Sequence, residues 1–178
     1  MMAADKYFLG CKVNRKNGLL LLLGILVVCL ATIAKYNGRY EMRWNISESL
    51  KAWFFIIDTK TLPQKGDYVA FNYYDKYNQV YKMGLSEAPQ VVFIKQVVGV
   101  EGDVVTHQDR EIFVNGQSMG IAKPRSKGGR KLDINPFTGA IPKGYYYVYT
   151  PHKDSYDSRY ADIGLVPVQE VRGKANDF

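Results

Sequence analysis

The stretch RWNISESLKAW (residues 43–53) contains two serines separated by one residue, Ser47 and Ser49. A serine hydroxyl is a weak nucleophile and needs a neighbouring general base before it can attack a carbonyl group. In an extended segment, residues two apart project to the same face, so one hydroxyl can attack while the other shares its cleft. The alternative interpretation is that both serines are ordinary loop residues.

A base for such a serine is found in the apolar stretch VVFIKQVVGVEGDVV (residues 91–105), which contains Lys95. Simple strand alternation places Lys95 on the side of Phe93 and Val97. Burial disfavours the charged form of a lysine and lowers its pKa, so a buried amine can act as a general base near neutral pH. The alternative is an exposed strand lysine.

Other catalytic arrangements find little support in the sequence. The two histidines, His107 and His152, lie in polar, turn-like surroundings and are interpreted as surface residues, which argues against a Ser-His-Asp triad. The sequence contains no Cys/His cluster for zinc, no G-x-S-x-G elbow and no glycine motif for phosphate or dinucleotide binding. We therefore expect neither a metal nor a cofactor.

The elements that position these residues are predicted to be mostly strands. Four segments rich in Val, Ile, Phe and Tyr are predicted strands: residues 67–74, 91–100, 111–119 and 144–150. Residues 47–57 are ambiguous and predict one short helix or turn. Residues 122–144 are rich in Gly, Pro and Lys and predict a basic loop, with too few interleaved aromatic residues to favour a nucleic-acid partner.

One apolar run, residues 18–34, contains no charged residue. As a helix it would span roughly 25 Å, just enough for the hydrocarbon core of a bilayer. A cleaved signal peptide is the main alternative, because Thr32-Ile33-Ala34 is an acceptable small-x-small site, but the run exceeds the usual apolar region of a signal peptide. We therefore predict a retained membrane anchor.

The net charge of +7 is concentrated partly around this run. Basic residues before it favour a cytoplasmic N-terminus. The predicted organisation is a cytoplasmic basic arm (residues 1–17), a transmembrane anchor (18–35) and a periplasmic catalytic domain (36–178), in a bacterial inner membrane. The cysteines, Cys11 and Cys29, both precede the exported part, which excludes disulfides and thiol catalysis there.

Three sequence boxes resemble those of type I signal peptidases, the S26 serine peptidases. FIKQVVGVEGDVV (residues 93–105) resembles the lysine box, SYDSRYADIGLVP (155–167) the late S-x-D-S-R-Y box, and KGDYVAF (65–71) the strand after the serine region. NISESL (45–50) is similar to the N-x-T/S-x-S-x-P form of the TraF-type branch, which acts in conjugative transfer. One departure is Lys51, which occupies the place of the usual proline.

The resemblance implies a mainly β fold, namely a signal-peptidase-like all-β catalytic domain after a single N-terminal transmembrane helix. It also implies a role for each matching residue. Ser49 would be the nucleophile and Lys95 the general base. The backbone N–H of Ser49 and the hydroxyl of Ser47 would form the oxyanion hole, and Ser155 would orient Lys95. Asp157 and Arg159 would pair and support the late box.

The function implied is a membrane-anchored serine endopeptidase that processes an exported precursor protein, most simply a conjugative pilin, beside other conjugative secretion components. Cyclisation of the pilin is a further hypothesis. Two alternatives remain open: a general leader peptidase that acts on many preproteins, and an inactive structural component of a pilus assembly complex. Trp53, Phe54 and Phe55 are expected either to rest on lipid or to pack in the core.

Overall fold

The chain divides into two compact units, Met1–Arg39 and Tyr40–Phe178. A computed structural model describes residues 7–8, 11–12, 15–45, 49–74, 81–83, 86–88 and 90–178. Ser47 lies outside these residues, so its predicted place in an oxyanion hole stays a prediction.

The described residues of the first unit form a short antiparallel pair and one helix. Its elements are β1 (Tyr7–Phe8), β2 (Cys11–Lys12) and α1 (Arg15–Tyr36). Within α1, the segment Asn17–Tyr36 is long and apolar enough to cross a membrane, and none of its most apolar window is buried by protein. An uninterrupted apolar surface of this length is unfavourable in water, which indicates a membrane-anchoring segment.

The second unit is built from antiparallel strands. In chain order these are β3 (Tyr40–Trp44), β4 (Phe54–Asp58), β5 (Tyr68–Tyr74), β6 (Tyr81–Met83), β7 (Ser86–Ala88), β8 (Gln90–Gly99), β9 (Val104–Gln108), β10 (Glu111–Val114), β11 (Gln117–Ile121), β12 (Gly139–Ala140), β13 (Tyr145–Tyr149), β14 (Val166–Pro167) and β15 (Val171–Asp177). A short 3₁₀ turn, Val168–Glu170, precedes β15. The prediction of a mainly β chain with one apolar helix is confirmed.

Seven strands form the larger sheet, in the order β14-β13-β8-β5-β15-β4-β3. A second sheet has the order β11-β10-β9-β12, and β6 pairs with β7 alone. The predicted strand at residues 111–119 is a hairpin, because Asn115 and Gly116 both take positive φ values of 49° and 77° between β10 and β11. The ambiguous residues 47–57 end in strand β4, and no helix forms in the described part of that segment, 49–57.

Three clusters of buried side chains stabilise this unit. One combines Val105, Ile112 and Val114 of the smaller sheet with Tyr147 of β13. The other two lie on the larger sheet: one contains Val69, Phe71, Tyr73, Val97, Val148 and Val166, and the other Phe55, Ile57, Ala70 and Ala175. The predicted basic loop, residues 122–144, is only partly a loop, because it contributes β12 and the buried side chains of Leu132 and Ile141.

Candidate active site

Lys95 lies in the middle of β8, the third strand of the larger sheet. Strand alternation places its side chain with those of Phe93 and Val97, which pack in the cluster around Val69 and Phe71. Lys95 is only 6% exposed. The alternative of an exposed strand lysine is therefore wrong.

Two serine hydroxyls lie within reach of this amine. Lys95 Nζ donates to Ser155 Oγ at 2.9 Å and to Ser49 Oγ at 3.3 Å. The two serines are 46 and 60 residues away from Lys95 in sequence. The fold thus brings three of the predicted site residues together around one nitrogen atom.

The surroundings of Lys95 favour its neutral form. Burial lowers its pKa from the ordinary value of 10.5 to about 8; Asp157 opposes this shift and Arg159 adds to it. The cause is the cost of holding a positive charge away from water. A substantial fraction of the amine is therefore unprotonated in mildly alkaline solution, as a general base requires.

Ser49 lies in the loop that joins β3 to β4 and is partly buried. The residues that follow it are anchored, because Leu50 and Ala52 pack against the cluster of Phe55, Ile57, Ala70 and Ala175. Between them, Lys51 is exposed to solvent. The hydroxyl of Ser49 is consequently presented to Lys95 from a loop whose apolar side chains face the core.

Ser155, Asp157 and Arg159 lie in the loop between β13 and β14, and all three are buried. Arg159 pairs with Asp157 through two hydrogen bonds, Nε to Oδ1 at 2.8 Å and Nη2 to Oδ2 at 2.9 Å. The same guanidinium group donates to the backbone carbonyl groups of Ser155 at 3.1 Å and His152 at 3.3 Å. The ion pair therefore holds the backbone that carries Ser155.

Two further buried polar residues were not predicted from the sequence. Ser158 and Val148 exchange hydrogen bonds: the backbone N–H of Val148 donates to Ser158 Oγ at 2.9 Å, and that of Ser158 to the Val148 carbonyl at 3.0 Å. Asn135 Nδ2 donates to the Ser158 carbonyl at 2.8 Å. Ser158 lies within the late box, so that motif could have identified it as a site residue. Asn135 lies in the predicted loop, where no sequence pattern marked it.

Residues 123–132 approach the same loop with basic side chains. Lys123 and Lys127 both pair with Asp154, immediately before Ser155, and Arg130 pairs with Asp162. His152, predicted to be a surface residue, is half-buried, and its Nδ1 accepts a hydrogen bond from the Asp154 backbone at 3.2 Å. Much of the basic charge of this segment is thus paired with acids flanking Ser155.

No group of three or more His, Cys, Asp or Glu side chains suited to a metal ion occurs among the described residues. The geometry that is present is a serine hydroxyl 3.3 Å from a buried amine. Such a pair can transfer a proton from oxygen to nitrogen and so activate the oxygen for attack on a carbonyl carbon.

Known proteins match nearly the whole chain. The family model for signal peptidases, peptidase S26, matches residues 15–177. A signal peptidase I from Pseudomonas fluorescens is 28% identical over 158 residues, which cover 67% of this chain and 51% of that protein. The chain therefore spans about half the length of that relative.

Two conjugal transfer proteins match over more of their length. A probable conjugal transfer protein TraF from Sinorhizobium fredii is 27% identical over 177 residues, covering 92% of each chain. A conjugal transfer protein TraF from Agrobacterium fabrum is 27% identical over 170 residues, covering 90% of this chain and 94% of that one.

Proposed function

Since the chain belongs to the signal peptidase family, peptidase S26, we propose that it is a membrane-anchored serine endopeptidase with Ser49 as the nucleophile and Lys95 as the general base. The single observation that carries this proposal is the position of Lys95 Nζ. It is buried, its pKa is lowered to about 8, and it lies 3.3 Å from Ser49 Oγ.

The steps follow from this geometry. Neutral Lys95 takes the proton of the Ser49 hydroxyl as Oγ attacks the carbonyl carbon of the scissile peptide bond. The tetrahedral intermediate then expels the amine, which takes the proton from Lys95, and leaves an ester on Ser49. Water, deprotonated by the same lysine, hydrolyses that ester and regenerates the free hydroxyl.

The remaining residues orient the pair. Ser155 Oγ accepts a hydrogen bond from Lys95 at 2.9 Å and would fix the direction of its lone pair when the amine is neutral. Asp157 and Arg159 hold the Ser155 backbone in place. The backbone N–H of Ser49 and the Ser47 hydroxyl would stabilise the negative oxygen of the intermediate, where one lost donor typically costs about 10²–10³ in rate.

The substrate we propose is an exported precursor protein, most simply a conjugative pilin. The support is that two conjugal transfer proteins match this chain over 92% and 94% of their lengths. A general leader peptidase is the second candidate, favoured by the match to a signal peptidase I. Rescue of a strain depleted of its leader peptidase supports the second candidate; failure to rescue supports the first.

The anchor gives this function a location. We propose that α1 spans the bacterial inner membrane, with residues 1–17 in the cytoplasm and the catalytic unit in the periplasm, because basic residues precede the apolar run. A precursor held in the same membrane would meet the site at a high effective concentration. Protease protection in oriented vesicles tests this: a catalytic unit digested only from the cytoplasmic side would reject the orientation.

The experiment for the activity uses the full-length protein in detergent and a pilin precursor from the same conjugative element. Ser49→Ala and Lys95→Ala should each abolish cleavage, because they remove the nucleophile and the base. Lys95→Arg should also abolish it, because a guanidinium cannot serve as a base. Ser118→Ala and Lys131→Ala, both at exposed positions, are the matched controls and should cleave like the wild type. Normal cleavage by any of the three site variants would reject the Ser49–Lys95 pair.

Two other outcomes concern the product and the alternative class. If wild type and site variants alike leave the precursor intact while the protein folds and inserts, an inactive structural component becomes the better account. If cleavage occurs, mass spectrometry of the mature pilin tests cyclisation. A linear product, heavier than the ring by one water, would reject the ring-closing step.

A further inference from the structure

We propose that Asn45 positions Ser49 against Lys95 by closing the loop between β3 and β4; this inference rests on the proposed function of Ser49 as nucleophile. Asn45 follows directly after β3, four residues before Ser49. Among the described residues, no hydrogen bond joins the Asn45 side chain to Lys95 or Ser155. Asn45 would therefore act through the backbone of the loop.

Three hydrogen bonds of Asn45 close this loop. Its backbone N–H donates to the carbonyl of Trp53 at 2.9 Å, which joins the two ends of the loop. Its side-chain Nδ2 donates to the carbonyl groups of Leu50 and Ala52, each at 2.8 Å. An asparagine amide has two N–H groups, and both are used here on the backbone just after Ser49.

The loop is therefore held from two directions. Leu50 and Ala52 pack their side chains against the core, while their carbonyl groups are bound by Asn45. Since Ser49 is bonded directly to Leu50, its position relative to Lys95 depends on this closure. Lys95 does not depend on it in the same way, because Ser155 binds Nζ at 2.9 Å from another loop.

The same geometry bears on Lys51, which occupies the place of the proline expected from the resemblance to the TraF-type form. Proline restricts the backbone through its ring. In this chain the carbonyl groups on both sides of Lys51 are bound by Asn45, so the backbone is restrained by hydrogen bonds. The Lys51 side chain itself is exposed to solvent.

The first test measures catalysis of a pilin precursor by the full-length protein in detergent. Asn45→Ala should lower kcat about 100-fold with little change in KM, because misplacement of a reacting group by roughly 1 Å can cost about that factor. Asn45→Asp should lose a similar factor, since a carboxylate cannot donate to the two carbonyl groups. Asn176→Ala is the control: its exposed Nδ2 also donates to a backbone carbonyl, that of Ile56 at 3.5 Å, and kcat should stay unchanged.

The pH profile separates positioning from damage to the fold. If Asn45 only positions Ser49, Lys95 stays buried and the pH profile of Asn45→Ala keeps the wild-type apparent pKa. A profile displaced towards the ordinary lysine pKa, together with a lower Tm, would show that Asn45 merely holds the fold together. That result, or a wild-type kcat in Asn45→Ala, would overturn the proposal.

The second test does not depend on activity. Trypsin cleaves after lysine, and Lys51 lies within the closed loop, so loss of the Asn45 bonds should raise the cleavage rate after Lys51 at least tenfold relative to exposed Lys131. Asn176→Ala should leave this ratio unchanged. If the wild type fails to cleave the precursor, the proposed function falls, and faster cleavage after Lys51 in Asn45→Ala still upholds loop closure. An unchanged ratio would overturn it.

Discussion

At the scale of single residues, the burial of Lys95 is unfavourable for stability but lowers the pKa of its amine. The residue is only 6% exposed, so a positive charge on its amine is poorly solvated. Burial lowers its pKa to about 8, and Asp157 limits that shift by favouring the charged form. A residue whose burial is unfavourable for stability thus has the lowered pKa that the proposed general base requires.

The pH dependence of cleavage follows from this pKa. The base must be neutral, so kcat/KM should rise with pH, reach half its maximum near the pKa of about 8, and level off above it. The measurement is the initial cleavage rate between pH 6 and 10 for the full-length protein. A rate that is still rising steeply at pH 10, as the ordinary lysine pKa of 10.5 requires, would show that Lys95 is not buried in the active enzyme.

Asp157 and Arg159 form the buried ion pair of this site, with side-chain exposures of 0% and 3%. Asp157→Ala should lower the free energy of unfolding by about 3–5 kcal/mol, because it leaves the guanidinium buried without its carboxylate. The matched control is Asp133→Ala, whose carboxylate pairs with Lys131 and is 64% exposed; its effect should be within about 0.5 kcal/mol. Equal effects in chemical denaturation would contradict the structural role of the Asp157–Arg159 pair.

The site could be predicted from the sequence only in part. Spacing along the chain gives no reason to join Ser49, Lys95 and Ser155, which are 46 and 60 residues apart; the resemblance to a family supplied the connection. Asn45 belongs to the same motif as Ser49, but its two bonds to backbone carbonyl groups depend on how the loop closes. Hydrogen bonds of that kind cannot be read from residue types alone, because they depend on the folded path of the backbone.

At the scale of elements, the strands that were predicted are those with strong local patterns. β5, β8 and β13 are rich in β-branched and aromatic residues, and each forms where expected. β15 (Val171–Asp177) was not predicted, because it contains Gly, Lys, Asn and Asp, which rarely favour strands. Its conformation comes from pairing with β4 and β5 on both sides, a tertiary effect that outweighs local preference.

Gly173 in β15 provides the test of that pairing. A Cβ atom there would lie 2.2 Å from the carbonyl oxygen of Asp58 at the end of β4. Gly173→Ala should therefore lower the free energy of unfolding by about 3 kcal/mol, because the backbone of β4 must move to make room. The control is Gly128→Ala, where the nearest atom is 3.9 Å away and stability should change by less than about 0.5 kcal/mol. Equal stability of the two variants in a thermal denaturation series would show that the two strands are not packed this closely.

At the scale of the whole molecule, exposed apolar side chains occur in the second unit as well as on the helix of the first. Trp44 is 76% exposed, Trp53 81% and Phe178 71%, and the rings of Trp44 and Phe54 lie 5.1 Å apart. Phe55, expected either on lipid or in the core, is fully buried. Exposed aromatic side chains of this kind favour a membrane–water boundary.

The two tryptophans of the chain are Trp44 and Trp53, so their fluorescence reports on this surface alone. In proteoliposomes of the full-length protein, lipids brominated near the head group should quench the tryptophan emission. Water-soluble acrylamide should quench that emission less than it quenches the emission of the protein denatured without detergent. Trp44→Phe and Trp53→Phe assign the signal to each residue. Emission that bromolipids leave unchanged in both variants would show that this surface faces water.

The central claim is that Ser49 attacks the precursor, and the most direct measurement is identification of the ester formed on the enzyme. Acid quenching of an early time point, followed by trypsin, yields the peptide Trp44–Lys51, which contains both Ser47 and Ser49. Mass spectrometry should find the acyl group of the precursor on Ser49 in the wild type and no ester in Lys95→Arg. An ester on Ser47, or cleavage by Lys95→Arg with an ester on Ser49, would contradict the account.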